Sequence, residues 1–151
     1  KKTVGLNSAD SINISRLLAQ VSYYFEAVAQ LPKDKRDKVV FSVPCGNFGN
    51  ITAALIGKRM GLPIKRFIAA NNRNDIFLNY LNTGVYTPKP SVATIANAMD
   101  VGDPSNFARI YDLYKGNHNQ IKSDISGTTY TDDEISATML KCHQETGYSC
   151  N

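Results

Sequence analysis

Val39–Gly61 reads VVFSVPCGNFGNITAALIGKRMG, and this stretch decides the fold. Val39, Val40, Phe41 and Val43 form a short apolar run rich in β-branched residues, the pattern of a strand covered on both faces. Pro44 ends the run, because proline cannot donate to a sheet ladder. Gly46 and Gly49 offer positive φ angles and let a ligand come close to the backbone. Helix-forming residues begin at about Ile51, and Met60-Gly61-Leu62-Pro63 is a helix stop. Strand, glycine-bearing turn and helix together point to an α/β protein. The first N–H groups of such a helix lack internal partners and carry about half a positive charge between them. A phosphate can bind there without lysine or arginine. The side-chain amides of Asn47 and Asn50 are candidate donors to it. Many α/β proteins carry the same unit with no ligand. GNFGN is neither GxGxxG nor a loop ending in GK[ST], which excludes the dinucleotide fingerprint and the P-loop.

At 151 residues the chain is long enough for one domain with a real core. Its 42% apolar and 20% charged residues are ordinary for a soluble protein. The net charge is +4, but the densest basic run, Lys33-Asp34-Lys35-Arg36-Asp37-Lys38, is broken by acids and reads as a solvated loop. No aromatic-interleaved basic stripe accompanies it, so no nucleic-acid surface is expected. The 3 cysteines are dispersed and odd in number, which argues against a disulfide framework and a CxxC zinc site. No metal site is expected. No secretory signal or apolar run of about 20 residues is present. The expectation is a cytoplasmic protein with no membrane span. A start at Lys1 and an end at Asn151 without tail-like character suggest an internal fragment of a larger protein.

Either side of the central unit the chain punctuates itself. Lys2–Gly5 suggests a short strand. Leu6–Ser11 is rich in N-cap residues, and a long helix follows Asn13. Its buried face is expected to hold Ile14, Leu17, Leu18, Val21, Tyr24, Phe25 and Val28; Pro32 closes it. Ser11, Asn13 and Arg16 gather at the head of this helix and form a second candidate anion site. Alone, Ser11 would read as a capping residue and Arg16 as a surface arginine. Ile64–Ala70 is a second strand, joined to the first by a parallel crossover. Asn71 to Asp75 follow at its carboxyl end, where ligands sit in open parallel sheets; Asp75 is read as a helix cap. A loop spans Gly84–Pro90, and a short helix lies within Ser91–Asp100. Pro104 opens a helix that runs to Lys115. Ile121–Tyr130 reads as strand with a turn at Gly127. Thr131 and Glu134 form a capping box before a helix to about Thr146, and Tyr148–Cys150 begins another strand. His118 and His143 are lone histidines with structural or exposed roles.

VPCGNFGNITAALIGKRMGLPIKRFIAANNRND, then NAMDVGDPSNFARI, together with LNSADSINISRLLAQVSYYFEA, resemble the threonine synthase family. These are pyridoxal-phosphate enzymes of the tryptophan-synthase-β type, fold type II. The resemblance is clear over Val4–Ile110 and looser beyond. It implies a three-layer α/β fold, a parallel sheet flanked by helices, present here incompletely as a single fragment over residues 1–151. It also implies that Gly46, Asn47, Phe48, Gly49 and Asn50 bind the cofactor phosphate. Ser11, Asn13 and Arg16 match a family segment near the substrate. There, Ser11 and Arg16 would hold the phosphate of O-phospho-L-homoserine, with Arg16 offering a charge-assisted fork. Asp10 stands where relatives carry asparagine, and a carboxylate there would repel the substrate phosphate unless turned away. Cys45 replaces a small residue and reads as a filler beside Gly46.

The implied reaction converts O-phospho-L-homoserine and water to L-threonine and phosphate, a lyase step in threonine biosynthesis. The family's Schiff-base lysine falls upstream of Lys1; Lys58 lies within a helix and Lys65 within a strand. The fragment alone is therefore expected to hold no catalytic residue and to be inactive. Three alternatives remain at this point. One is another fold type II enzyme, such as a threonine dehydratase or a sulfhydrylase-type β-replacement enzyme. The second is a non-catalytic α/β module that binds a phosphorylated metabolite. The third is a bare proteolytic core with only structural meaning in isolation.

Overall fold

In the computed structural model of this chain, which describes residues 9–149, three parallel strands lie in sequence order across one sheet. They are β1 (Val39–Pro44), β2 (Ile64–Asn71) and β3 (Ile125–Thr129). Phe41 pairs with Phe67, and Phe67 with Ile125. All three carboxyl ends therefore reach one edge, where Pro44 lies beside Ala70 and Asn71 beside Thr129. Six α-helices flank the sheet among the described residues: α1 (Ile14–Ala29), α2 (Gly49–Arg59), α3 (Ile76–Thr83), α4 (Phe107–Leu113), α5 (His118–Asp124) and α6 (Asp132–Thr146). This is the expected α/β class. The strand expected over Lys2–Gly5 lies outside the described residues.

The core forms between sheet and helices. Val43, Phe67, Ala69 and Ile125 of the strands pack in one cluster with Ile51 and Leu55 of α2, Phe77 and Tyr80 of α3, Ile110 of α4 and Ile121 of α5. Each large apolar side chain so buried contributes about 1.5–3 kcal/mol. Aromatic rings join the parts: Phe48 meets Phe77 at 4.6 Å, and Tyr86 stacks on Phe107 at 3.7 Å. Gly57 lets α1 approach α2, since a Cβ there would already touch Phe25 and Val21 at 3.5 and 3.6 Å.

Several expectations shift. β1 is not covered on both faces: Val43 is buried, but Val40 is 46% exposed, and Ser42 and Pro44 are exposed too. The buried stripe of α1 narrows to Leu17, Val21 and Val28, with Ile14, Leu18 and Phe25 exposed. α2 begins at Gly49 rather than Ile51. α4 begins at Phe107 rather than Pro104, because the Phe107 amide turns back to the Pro104 carbonyl in a tighter bend. Ser91–Asp100 holds only a 3₁₀ turn, Asn97–Met99. There the Asp100 carboxylate accepts from the Thr94 amide and hydroxyl, tying the segment into a loop.

Ile121–Asp124 belong to α5, capped by Asn117 through the Gln120 amide, so only the second half of the expected strand is extended. Gly127 lies within β3 and makes no turn; Leu78 already stands 3.0 Å from where its Cβ would sit. The capping box at Thr131 and Glu134 is present, yet α6 buries none of its residues. Tyr148 and Ser149 are irregular rather than strand, and Cys150 lies outside the described residues. Lys33–Lys38 is the expected exposed segment as a 3₁₀ turn, anchored by Arg36 to the carbonyls of Leu31 and Ala29.

Candidate functional site

At the carboxyl edge of β1 the chain turns into α2 through Cys45–Phe48, and a cleft of about 240 Å³ opens over that turn. Ser11, Arg16 and Gln20 form one wall, Gly46–Asn50 the floor, and Ala98 and Met99 the other wall. Two sequence stretches expected to hold anions thus share one cleft.

The floor is made by an unexpected residue. The left-handed position belongs to Phe48, at φ 62° and ψ 15°, while neither Gly46 nor Gly49 has positive φ. A non-glycine residue there costs about 1–2 kcal/mol, offset by burial of its ring against Phe77. The glycines serve close packing instead. A Cβ on Gly46 would stand 2.8 Å from the Met99 Cα, and one on Gly49 would stand 2.7 Å from the Ser11 Cβ. No backbone amide from Gly46 through Asn50 donates a hydrogen bond among the described residues. A left-handed residue just before a helix N-terminus gathers such amides into an anion-binding concavity.

The asparagines of the turn act mainly on the protein. Asn50 donates to the Pro44 carbonyl at 2.8 Å and accepts from the Ile51 amide at 2.8 Å. Asn47 donates to Ser11 Oγ at 2.6 Å. It accepts from the Ser105 amide at 2.6 Å and from the Ser105 hydroxyl at 2.9 Å. Asn106, fully buried, donates to the Asn47 carbonyl at 2.9 Å. Arg109 donates to Asn106 Oδ1 and to the carbonyls of Ser11 and Ile12. This lattice joins the Ser11 turn, the Gly46–Asn50 loop and the start of α4. Ser105, Asn106 and Arg109 had no role assigned from sequence. Their signal was the SNxxR spacing, which puts Asn106 and Arg109 one turn apart.

The head of α1 divides its expected roles. Arg16 faces the cleft, where one guanidinium nitrogen donates to the Ala9 carbonyl at 3.2 Å. Ser11 faces it too. Asn13 does not line it; its side chain caps α1 by accepting from the Ser15 amide at 3.0 Å. Asp10 turns its carboxylate onto the Ile12 amide at 2.8 Å and does not line the cleft. Gln20 lines the cleft with its carbonyl oxygen buried and unpartnered.

Nearby groups are structural. Cys45 is 2% exposed, its thiol donates to the Val43 carbonyl, and burial pushes its pKa far up, as suits a filler. The Tyr24 hydroxyl donates to the Asn50 carbonyl at 3.0 Å, and its pKa is pushed up to about 12 by burial first and then by Cys45. Lys58 is paired with Asp124 at 2.8 Å, Lys65 is exposed on β2, and no lysine among the described residues lines the cleft. His118 lies 3.0 Å from the carbonyls of Tyr80 and Leu81, which secures α5 to α3. Asp75 sits at the N-cap position of α3 without a side-chain capping bond. No group of metal ligands is present among the described residues, and none of their helices is long and apolar enough to cross a membrane.

No protein-family model matches the chain. Among characterised proteins, the threonine synthase of Haemophilus influenzae is 57% identical over 150 residues, covering 99% of this chain and 35% of that protein. The crystal structure of Escherichia coli threonine synthase matches with a TM-score of 0.90 at 49% identity, over 100% of this chain and 35% of that one. The PLP-bound threonine synthase of Brucella melitensis matches with a TM-score of 0.86 at 33% identity, over 98% of this chain and 36% of that one. The chain thus spans about a third of the length of these relatives.

Proposed function

Because this chain belongs to the threonine synthase family by sequence and by fold, we propose that it supplies the phosphate-binding part of such an enzyme's active site. The observation that carries this reading is the run of unbonded amides from Gly46 through Asn50, set beneath Ser11 and Arg16 in one cleft. The concavity fits the phosphate of pyridoxal phosphate: it offers N–H donors and a helix N-terminus, and it demands no side-chain charge.

In this reading the amides of Gly46, Asn47, Phe48, Gly49 and Asn50 hold the cofactor phosphate, and Ser11 and Arg16 hold the phosphate of O-phospho-L-homoserine. Asn13 acts on the substrate side by capping the helix that presents Arg16. Each charge-assisted hydrogen bond contributes about 1.5–3 kcal/mol. Arg16 keeps its grip as the phosphate departs, which stabilises the leaving dianion. Pyridoxal phosphate, when bound, supplies the electron sink for loss of phosphate from the γ carbon and addition of water at the β carbon. Tethering and desolvation of the substrate fall to the cleft walls.

The lysine joined covalently to the cofactor comes from outside residues 1–151, so the chain alone does not turn over; the absence of a lysine from the described lining of the cleft supports this. A cytoplasmic location fits the free, buried Cys45. The test is titration of the ¹⁵N-labelled chain with pyridoxal phosphate, followed by borohydride reduction. The expected result is shifts of the Gly46–Asn50 amides and no lysine reduced stoichiometrically, only scattered traces on exposed lysines. Unmoved amides would sink the phosphate-loop assignment, and stoichiometric trapping on one specific lysine here would sink the division of labour. In an intact enzyme carrying this segment, O-phospho-L-homoserine should turn over while threonine and O-acetylserine do not.

A further inference from the structure

We infer that Asn47 is a positioning residue whose task is to fix the Ser11 hydroxyl as a hydrogen-bond donor toward the anion in the cleft. The inference rests on the phosphate-site reading above and deepens it. It follows from the polarity of a short hydrogen-bond relay. The Ser105 backbone amide can only donate, and it lies 2.6 Å from Asn47 Oδ1. That contact fixes which end of the Asn47 amide is oxygen. The nitrogen end therefore faces Ser11 Oγ, at 2.6 Å. An amide nitrogen can only donate, so Ser11 Oγ must accept. Its single proton is then turned away from Asn47, and no acceptor among the described residues takes it. Ser11 lines the cleft, so an anion there is the natural acceptor.

The relay is held rigidly at both ends. Asn106 grips the Asn47 carbonyl at 2.9 Å, and Arg109 grips the Ser11 carbonyl at 2.9 Å. The Ser11 side chain also abuts Gly49, which leaves the hydroxyl over the unbonded amides. Ser11 can neither swing out nor reverse its proton while Asn47 is present. The cleft thereby presents a fixed donor to an accepting oxygen, and a phosphate dianion takes it in a stronger, charge-assisted bond than the neutral hydroxyl of homoserine does.

A double-mutant cycle tests this. O-phospho-L-homoserine is titrated into the ¹⁵N-labelled chain in the presence of pyridoxal phosphate, for wild type, Ser11→Ala, Asn47→Leu and the double variant, with thermal melting as the check on folding. Asn47→Asp provides a second arm, because it keeps the shape and the Ser105 contacts but draws the Ser11 proton toward itself. Its added charge acts in both backgrounds and cancels in the cycle. With Ser11 present, each Asn47 substitution is expected to weaken binding about tenfold more than it does beside Ser11→Ala, in line with one charge-assisted hydrogen bond. L-Homoserine should bind detectably worse than its phosphate ester in wild type. Equal losses in both backgrounds would overturn the relay while leaving the phosphate site standing. Absence of binding by the wild-type chain would overturn both.

Discussion

The α carbon of Gly49 faces the Ser11 side chain so closely that a Cβ on Gly49 would lie 2.7 Å from the Ser11 Cβ. Gly49→Ala must therefore displace the Ser11 turn, and Gly49→Val more so. The expected outcome is a stability loss of about 1–3 kcal/mol for Gly49→Ala, accompanied by weakened pyridoxal phosphate binding. Urea unfolding and cofactor titration measure the two effects. Unchanged affinity would show that the Ser11 turn and the loop are independent.

Gly102 and Gly61 make a contrasting pair. A Cβ on Gly102 would stand 1.9 Å from the Lys89 carbonyl oxygen, whereas nothing lies within 4 Å of one on Gly61. Gly102→Ala should break the loop contact in which the Lys89 amide donates to the Gly102 carbonyl. Gly61→Ala meets only the strain of φ 105°, roughly 1 kcal/mol on the scale of left-handed residues. Thermal melting should place Gly102→Ala clearly below Gly61→Ala, and the reverse order would refute the packing account.

Asp100 predicts an acid response. The Thr94 hydroxyl is the largest influence holding its carboxyl below the usual range; burial, second in size, opposes it, and the Thr94 amide, Asn72 and Asn74 add smaller lowering contributions. A depressed folded pKa stabilises the fold above the unfolded value, about 3.9. That stabilisation is lost as pH falls through the lower, folded value. Asp100→Asn should lower stability at neutral pH and flatten the acid limb of a stability-versus-pH curve. A parallel downward displacement at every pH would count against the linkage. Glu134, also lowered and chiefly by the Thr131 amide, adds to the same limb in both proteins.

Cys45 predicts chemical silence. Its thiol is buried and its pKa is pushed up by desolvation, so almost no thiolate forms at neutral pH. Iodoacetamide treatment of the native chain should leave the Cys45 peptide unmodified and label the more accessible Cys142. In urea both should react. Native labelling of Cys45 would contradict its place in the core.

Local punctuation carried much of this fold into the sequence. Pro44, Gly61 and the Thr131–Glu134 box mark real boundaries, because each acts through its own backbone chemistry. What stayed hidden was set by partners far along the chain. Phe48 takes the left-handed angle that Gly46 and Gly49 advertise, since its ring has Phe77 to rest on while the glycines are needed for Met99 and Ser11. Ile121–Asp124 look extended by composition, but Asn117 caps them into a helix. Ser11 and Arg16 were legible as cleft residues. Asn13 was legible as polar but not as a cap, and the role of Arg109 depends on carbonyls more than 90 positions away, at separations of 98 and 97 residues.

The left-handed Phe48 has a kinetic consequence. Its ring is buried, so the loop entropy is lost when the chain folds and little remains to be lost when an anion arrives. Capture by these amides should then proceed at the rate of encounter. Arg16 stands exposed on the wall of the same cleft, so it attracts any phosphate that enters, and the capture rate should fall as salt shortens the screening length. Salt would thus slow arrival at the cleft, while the preset loop governs how little rearrangement follows.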